Sequence, residues 1–201
     1  VCTIESFDYL SSRILCARIA LLWILLTAAT VLTAAEPLLR LPWEVLGCAL
    51  FITAFRLWDD LADLDFDRRH HPQRVLVRAT SLTCFCLTLW TMVALLVGLV
   101  TLLAGGVRAL GLLLLVSAFW FLYRIDRAHA LRRDWRRVLV LVKYPVFVLL
   151  LAADPASVLT VLTVIGVFVV LVLEEARDGG VTVLGPAAAL LGAAIVVWLI
   201  L

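Results

Sequence analysis

Seven stretches of nearly unbroken apolar residues divide this chain, at 15–35, 42–58, 78–101, 107–124, 137–152, 157–173 and 181–201. A helix needs about 20 apolar residues to cross the hydrocarbon core of a bilayer. Membrane barrel strands alternate apolar and polar residues, whereas these runs are continuously apolar, so the pattern predicts helices. Only 16% of the 201 residues are charged, too few to clothe a soluble domain of that length. The expectation is all-α: a polytopic membrane helical bundle of about seven transmembrane helices, forming a single domain over 1–201. The fifth run is short and flanked by arginines, and Pro145 within it marks a candidate bend. No cleavage-site pattern closes the first run. The chain starts at Val1 and stops at Leu201 inside an apolar run, so continuation at either end stays open.

The charges are distributed as a membrane topology requires. If the seven runs alternate in direction, one side receives 15 of the 17 basic residues and the other only Arg40 and Arg108. The positive-inside rule puts the richer side in the cytoplasm. The N-terminus and the loops near 56–78, 124–137 and 174–180 are therefore expected there, in a multi-pass protein of the cell membrane. Twelve of the 15 acidic residues fall on that side too, leaving Glu36, Glu44 and Asp154 opposite. The arginine-rich stretch 124–137 serves this topology and can touch anionic lipid headgroups. It lacks the interleaved aromatics and the fold of a nucleic-acid site.

Between the second and third runs stands RLWDDLADLDFDRRHHPQR, with Asp59, Asp60, Asp63, Asp65 and Asp67 in nine positions. At 100° per residue, Asp59, Asp60, Asp63 and Asp67 share an arc of about 100° if the second helix continues. Arg56 projects into the same arc one turn earlier, and Asp65 points away. Carboxylates crowded this way repel and raise one another's pKa unless a cation intervenes. Hard oxygen ligands at this spacing suit Mg²⁺, which takes a few carboxylates together with water and phosphate oxygens. A solvated acidic loop paired with Arg68, Arg69 and Arg74 is the plainer alternative.

A second acidic group, Glu174, Glu175 and Asp178, closes the sixth run before Gly179 and Gly180. Its three-and-four spacing lets all three share a helix face. Other features read as structural. His70 and His71 lack the companions of a tetrahedral zinc site. The five cysteines have neither metal-site nor disulfide spacing and are expected as small buried apolar residues. Trp23 and Trp90 are expected in the core or in the wall of an aromatic cavity.

The stretch from Arg56 to Arg74 resembles the first aspartate-rich motif of the intramembrane prenyltransferases of the UbiA superfamily. That motif commonly reads Arg-x-x-Asn-Asp-x-x-Asp-x-x-x-Asp, followed by basic residues and a proline. Arg56, Asp60, Asp63 and Asp67 occupy matching positions, Asp59 stands at the usual asparagine, and Arg68, Arg69, Pro72 and Arg74 match the basic tail. The segment EEARDGG stands where the family carries its second acidic motif. Glu175 and Asp178 look like its first two acids, Glu174 is an alternative first ligand, and Thr182 stands where a third acid would come.

The resemblance implies Mg²⁺ held by Asp59, Asp60, Asp63, Asp67, Glu174, Glu175 and Asp178, with Asp60, Asp63, Glu175 and Asp178 the catalytic carboxylates. Arg56, Arg74, Tyr123, Lys143 and Tyr144 would hold a prenyl diphosphate, with Arg124 a further match. The implied activity is Mg²⁺-dependent transfer of the prenyl group to an aromatic or other lipid-soluble acceptor. Members usually have nine helices, so seven would make this a shortened UbiA-type fold. The alternatives are a non-catalytic protein of the same fold and a small-molecule or ion transporter. The transporter reading is disfavoured because the acids gather at run ends on one side and no inverted repeat is visible.

Overall fold

A computed structural model describes residues 2–35, 37–127, 133–179 and 181–200. The described elements are helical. A short α1 (Cys2–Tyr9) runs into a π-helical turn, Leu10–Ile14, and then α2 (Ala17–Thr33). Next come α3 (Pro37–Ala62), the short α4 (Leu64–His70) and α5 (Val75–Arg78), then α6 (Leu82–Ala104) and α7 (Gly106–Arg127). The chain ends with α8 (Arg133–Leu141), α9 (Lys143–Leu151), α10 (Val158–Gly179) and α11 (Leu184–Ile200).

Among the described residues, four helices are long and apolar enough to cross a membrane: Leu38–Ala62, Leu82–Ala104, Gly106–Ile125 and Val158–Arg177. A fifth crossing arises if Phe7–Ile14 and Ala17–Thr33, bent by 77° to one another, act as one span. This is a multi-spanning helical bundle, with four or five long apolar helices among the described residues where seven runs were read. The first run yields a helix of only 17 residues because Cys16 is extended, with φ −112° and ψ 154°. The last yields 17 residues after a 3₁₀ turn at Val181–Val183.

The fifth run breaks in two at Val142, between α8 and α9. Pro145 accounts for the position of the break. It has no N–H to give the carbonyl four residues earlier, that of Leu141, and its ring crowds that carbonyl. The result is two nine-residue helices rather than one span.

Helix α3 is the centre of the bundle, packed on α2 on one side and α6 on the other, while α9 lies against α2, α6, α7 and α10. Phe51 stacks on Phe147 at 4.1 Å between ring centroids and meets Phe55 in a tilted contact at 4.6 Å, and all three rings are fully buried. Gly111 lets α7 approach α9, since a Cβ there would lie 2.6 Å from a Leu150 methyl. Gly105, at φ 87°, makes the tight reversal from α6 into α7. The outward faces are apolar: Leu38, Leu102 and Val107 are each more than four-fifths exposed. Surfaces of this kind are stable against lipid rather than water. Trp23 and Trp90, weighed as core or cavity residues, are 38% and 49% exposed at the rim of the bundle. The reading of the cysteines as small buried apolar residues holds for Cys48, whereas Cys16 and Cys86 are free but exposed and Cys84 is disulfide-bonded.

Candidate functional site

The acidic stripe forms where α3 passes into α4. Asp63 interrupts the helix, with φ −86° and ψ 4°, yet the helical hydrogen bonds carry across it. The Asp63 amide donates to Asp59 O at 3.0 Å and the Asp67 amide to Asp63 O at 2.9 Å. The α-helical phase is therefore kept, and Asp65 is set apart as its spacing predicts. Asp65 pairs with Arg68 at 3.1 Å on the exposed side.

Each remaining aspartate is met by a cation. Asp59 accepts from Lys143 Nζ at 2.6 Å and from the Tyr123 hydroxyl. Asp60 accepts from Arg13 at 2.7 and 3.1 Å and from the Tyr9 hydroxyl at 3.0 Å, with Arg56 at 3.4 Å. Asp63 pairs with Arg136, and Asp67 with Arg74. Asp60 and Asp67 are buried, and Lys143 is fully so. A carboxylate is stable in such surroundings only because its charge is compensated and hydrogen-bonded.

The aromatic surroundings add to the compensation. Lys143 Nζ lies 5.4 Å from the Phe55 ring, 5.7 Å from Phe119 and 5.4 Å from Tyr144, within cation–π range. Trp58 packs beside Tyr123 at 5.7 Å. The pKa of Asp63, on the connection beyond the end of α3, is raised because its partial burial outweighs the lowering effect of Arg136.

The chain thus brings Asp59, Asp60, Arg56, Tyr123, Lys143 and Tyr144 to one end of the bundle, and Asp63, Asp67 and Arg74 follow along α4. The second acidic group reaches the same end through arginines. Arg136 binds Asp63 while its neighbour Arg137 lies 3.6 Å from Glu175. Arg13 binds Asp60, and Arg18, further along the same N-terminal segment, lies 3.7 Å from Glu174. These two outer contacts are long and partly exposed, and pairs of that kind contribute little. The side chain of Asp178 lies outside the described residues. Thr182, at the place of a third acid, donates its hydroxyl to Asp134 at 3.1 Å.

Three site residues were not picked out from the sequence as such: Tyr9, Arg13 and Arg136. Tyr9 and Arg13 stand four apart, one turn of helix, a spacing that already puts them on one face. They come down on Asp60 from the N-terminal segment and line a small pocket with Asp60, Asp67, Arg74 and Leu76.

Two observations bear on what this end can bind. Among the described residues, no three His, Cys, Asp or Glu side chains gather closely enough to hold a metal ion, because the carboxylates are turned toward separate cations. The donor set is nonetheless hard carboxylate oxygen, the type Mg²⁺ takes. The second observation is Arg56, whose Nε is buried without a hydrogen-bond partner. A buried guanidinium N–H left unmatched, amid four further cations, is a donor suited to an anionic oxygen.

Compared with family models, curated proteins and solved structures, the chain gives no match.

Proposed function

We propose that this bundle is a shortened, seven-helix UbiA-type fold that binds a prenyl diphosphate at the α3–α4 junction and transfers the prenyl group to a lipid-soluble acceptor. The observation that carries the reading is the unmatched Nε of Arg56 among interleaved cations and carboxylates at the end of an apolar bundle. A prenyl diphosphate has that duality: an anionic head for Arg56, Arg13, Arg74, Arg136 and Lys143, and an apolar tail for the bundle. With 15 of the 17 basic residues on this side, the site faces the cytoplasm.

The carboxylates that would hold Mg²⁺ are Asp59, Asp60, Asp63 and Asp67, with Glu174, Glu175 and Asp178 from the other side. Bound there, the ion would neutralise the diphosphate and stabilise the charge that develops as it leaves. In the transfer, the bond between the prenyl C1 and the diphosphate oxygen breaks, and the oxygen keeps the electron pair. The acceptor supplies the pair for the new bond to C1 and gives up a proton. The departing diphosphate, whose oxygens are basic, can take that proton, since Asp63 is among the carboxylates that would hold the metal. Tyr123, Lys143 and Arg56 position the diphosphate from the bundle side, while Tyr144 packs beside the ammonium. Exclusion of water by the surrounding Phe55, Phe119 and Trp58 protects the allylic cation.

The same geometry favours a second reading. Every aspartate of the stripe already has a cation within the chain, so the network also suits a non-catalytic protein in which it locks the helices together. Purified protein with farnesyl or geranylgeranyl diphosphate and Mg²⁺ separates the two. The enzyme reading expects Mg²⁺-dependent binding, and diphosphate release once an acceptor such as a quinone precursor is supplied. Asp60→Asn should abolish release while the helical circular-dichroism signal persists. Absence of binding to either donor overturns the enzyme reading and leaves the structural one.

A further inference from the structure

Glu44 lies sixteen residues before Asp60 on α3, which at 1.5 Å per residue places it about 24 Å from the acidic stripe. It is fully buried, and neither carboxylate oxygen has a hydrogen-bond partner. The donors along this seam are directed elsewhere. The Thr30 hydroxyl, fully buried on α2, donates to Thr27 O at 3.0 Å. The Thr33 hydroxyl donates to Ala29 O at 3.0 Å, and the Trp23 indole N–H donates to Val45 O at 3.0 Å. Cys48, one turn after Glu44 and also fully buried, lies 3.6 Å from the Thr30 oxygen. Either atom can be the donor in that contact.

Among the described residues, then, no hydrogen bond within reach settles on either Glu44 oxygen, and Thr30 is the polar group that faces it from α2. An ionised carboxylate left alone in an apolar interior is strongly unfavourable, so its charge must be met. Arg40, one turn earlier on α3, bears on Glu44 electrostatically, Thr30 is its polar neighbour on α2, and Cys48 is the further titratable neighbour on its own helix. Arg40 reaches neither oxygen.

We propose that Glu44 and Thr30 form a monovalent-cation site in the half of the bundle remote from the aspartate stripe. Its ligand is a proton or a sodium ion, either of which supplies the single compact positive charge that the buried, unpartnered carboxylate lacks. The proposal does not depend on the stripe binding a diphosphate, and its test needs no prenyl donor.

The test is infrared spectroscopy of the full chain in detergent, taken as the wild type minus Glu44→Gln difference. A protonated-carboxyl band is expected in the difference spectrum. A band that bleaches as NaCl replaces KCl at fixed pH and ionic strength identifies sodium as the competing ligand. A band that responds to pH alone identifies the proton as the sole one. Both outcomes support the site. Thr30→Val serves as a second variant should Glu44→Gln fail to fold, and it should shift the sodium or pH midpoint of the same band. The proposal is overturned if Glu44 shows an ionised-carboxylate signal insensitive to both pH and sodium, or if Thr30→Val leaves the midpoint unmoved.

Discussion

Lys143 Nζ sits 2.6 Å from Asp59 Oδ2, joining positions 84 residues apart in the chain. The lysine has no exposed surface, and the aspartate is 16% exposed. It is the break at Val142 that starts α9 at Lys143, so Pro145 and the ion pair belong to one piece of architecture. A buried charge with one partner removed is far less stable than a buried pair.

Lys143→Met should therefore lower stability by about 3–5 kcal/mol, since it leaves Asp59 without a cation in an apolar setting. The double variant Lys143→Met with Asp59→Asn should recover much of that loss. Thermal denaturation of the two single variants and the double gives the coupling directly. A double variant no more stable than Lys143→Met would show that the pair is not coupled.

Asp60 holds the N-terminal segment down, through Tyr9 and Arg13. Tyr9→Phe removes one buried hydrogen bond and should cost about 1 kcal/mol. Arg13→Gln should cost more, because Asp60 then keeps only the more distant Arg56 as a cation. Both variants should speed amide hydrogen exchange within residues 7–14 and leave α6 and α7 protected. Uniform exchange changes across the bundle would mean that the contact does not anchor this segment.

The pattern of these partners explains what could be read in the sequence. The arc of Asp59, Asp60, Asp63 and Asp67 was legible because helical phase persists through the interruption at Asp63, so a 100° rotation per residue still holds. The apolar runs were legible for the same local reason. The pairing of that arc was not, because Arg13 and Arg136 stand 47 and 73 residues from their aspartates and periodicity carries no information about such distances. The same holds for the Cys84 disulfide, which no close cysteine spacing announces. Pro145 was visible as a bend, but only the packing of α9 makes the bend a full division of the run. Thr182 was noticed as a missing acid, and its bond to Asp134 gives it a local partner of its own.

Asp63 gives the site a pH signature. Its carboxyl is raised above the ordinary 3.8 in the folded chain, so the folded state holds that proton more tightly than the unfolded state. The stability this group contributes is then greatest below 3.8 and is lost as pH rises through the raised folded value. Asp63→Asn removes the loss. At pH 7 the variant should be at least as stable as the wild type, and its relative advantage should shrink on acidification. Melting temperatures of both proteins across that pH range check the sign, and a variant clearly less stable at neutral pH would show that the Arg136 pairing outweighs burial.

Two helix glycines offer a matched pair for the packing of the bundle. A Cβ at Gly111 would stand 2.6 Å from Leu150 Cδ2, whereas at Gly98 it would meet nothing within 4 Å. Alanine has higher helix propensity than glycine, worth about 1 kcal/mol at an open position. Gly98→Ala should thus be neutral or stabilising. At Gly111 the same gain is opposed by an overpacking cost of about 1–3 kcal/mol, because Leu150 must change rotamer or α7 must move off α9. Gly111→Ala should melt below Gly98→Ala, and Gly111→Ala with Leu150→Ala should relieve the clash while opening space elsewhere. If Gly111→Ala and Gly98→Ala melt together, α7 does not approach α9 as closely as the Leu150 contact requires.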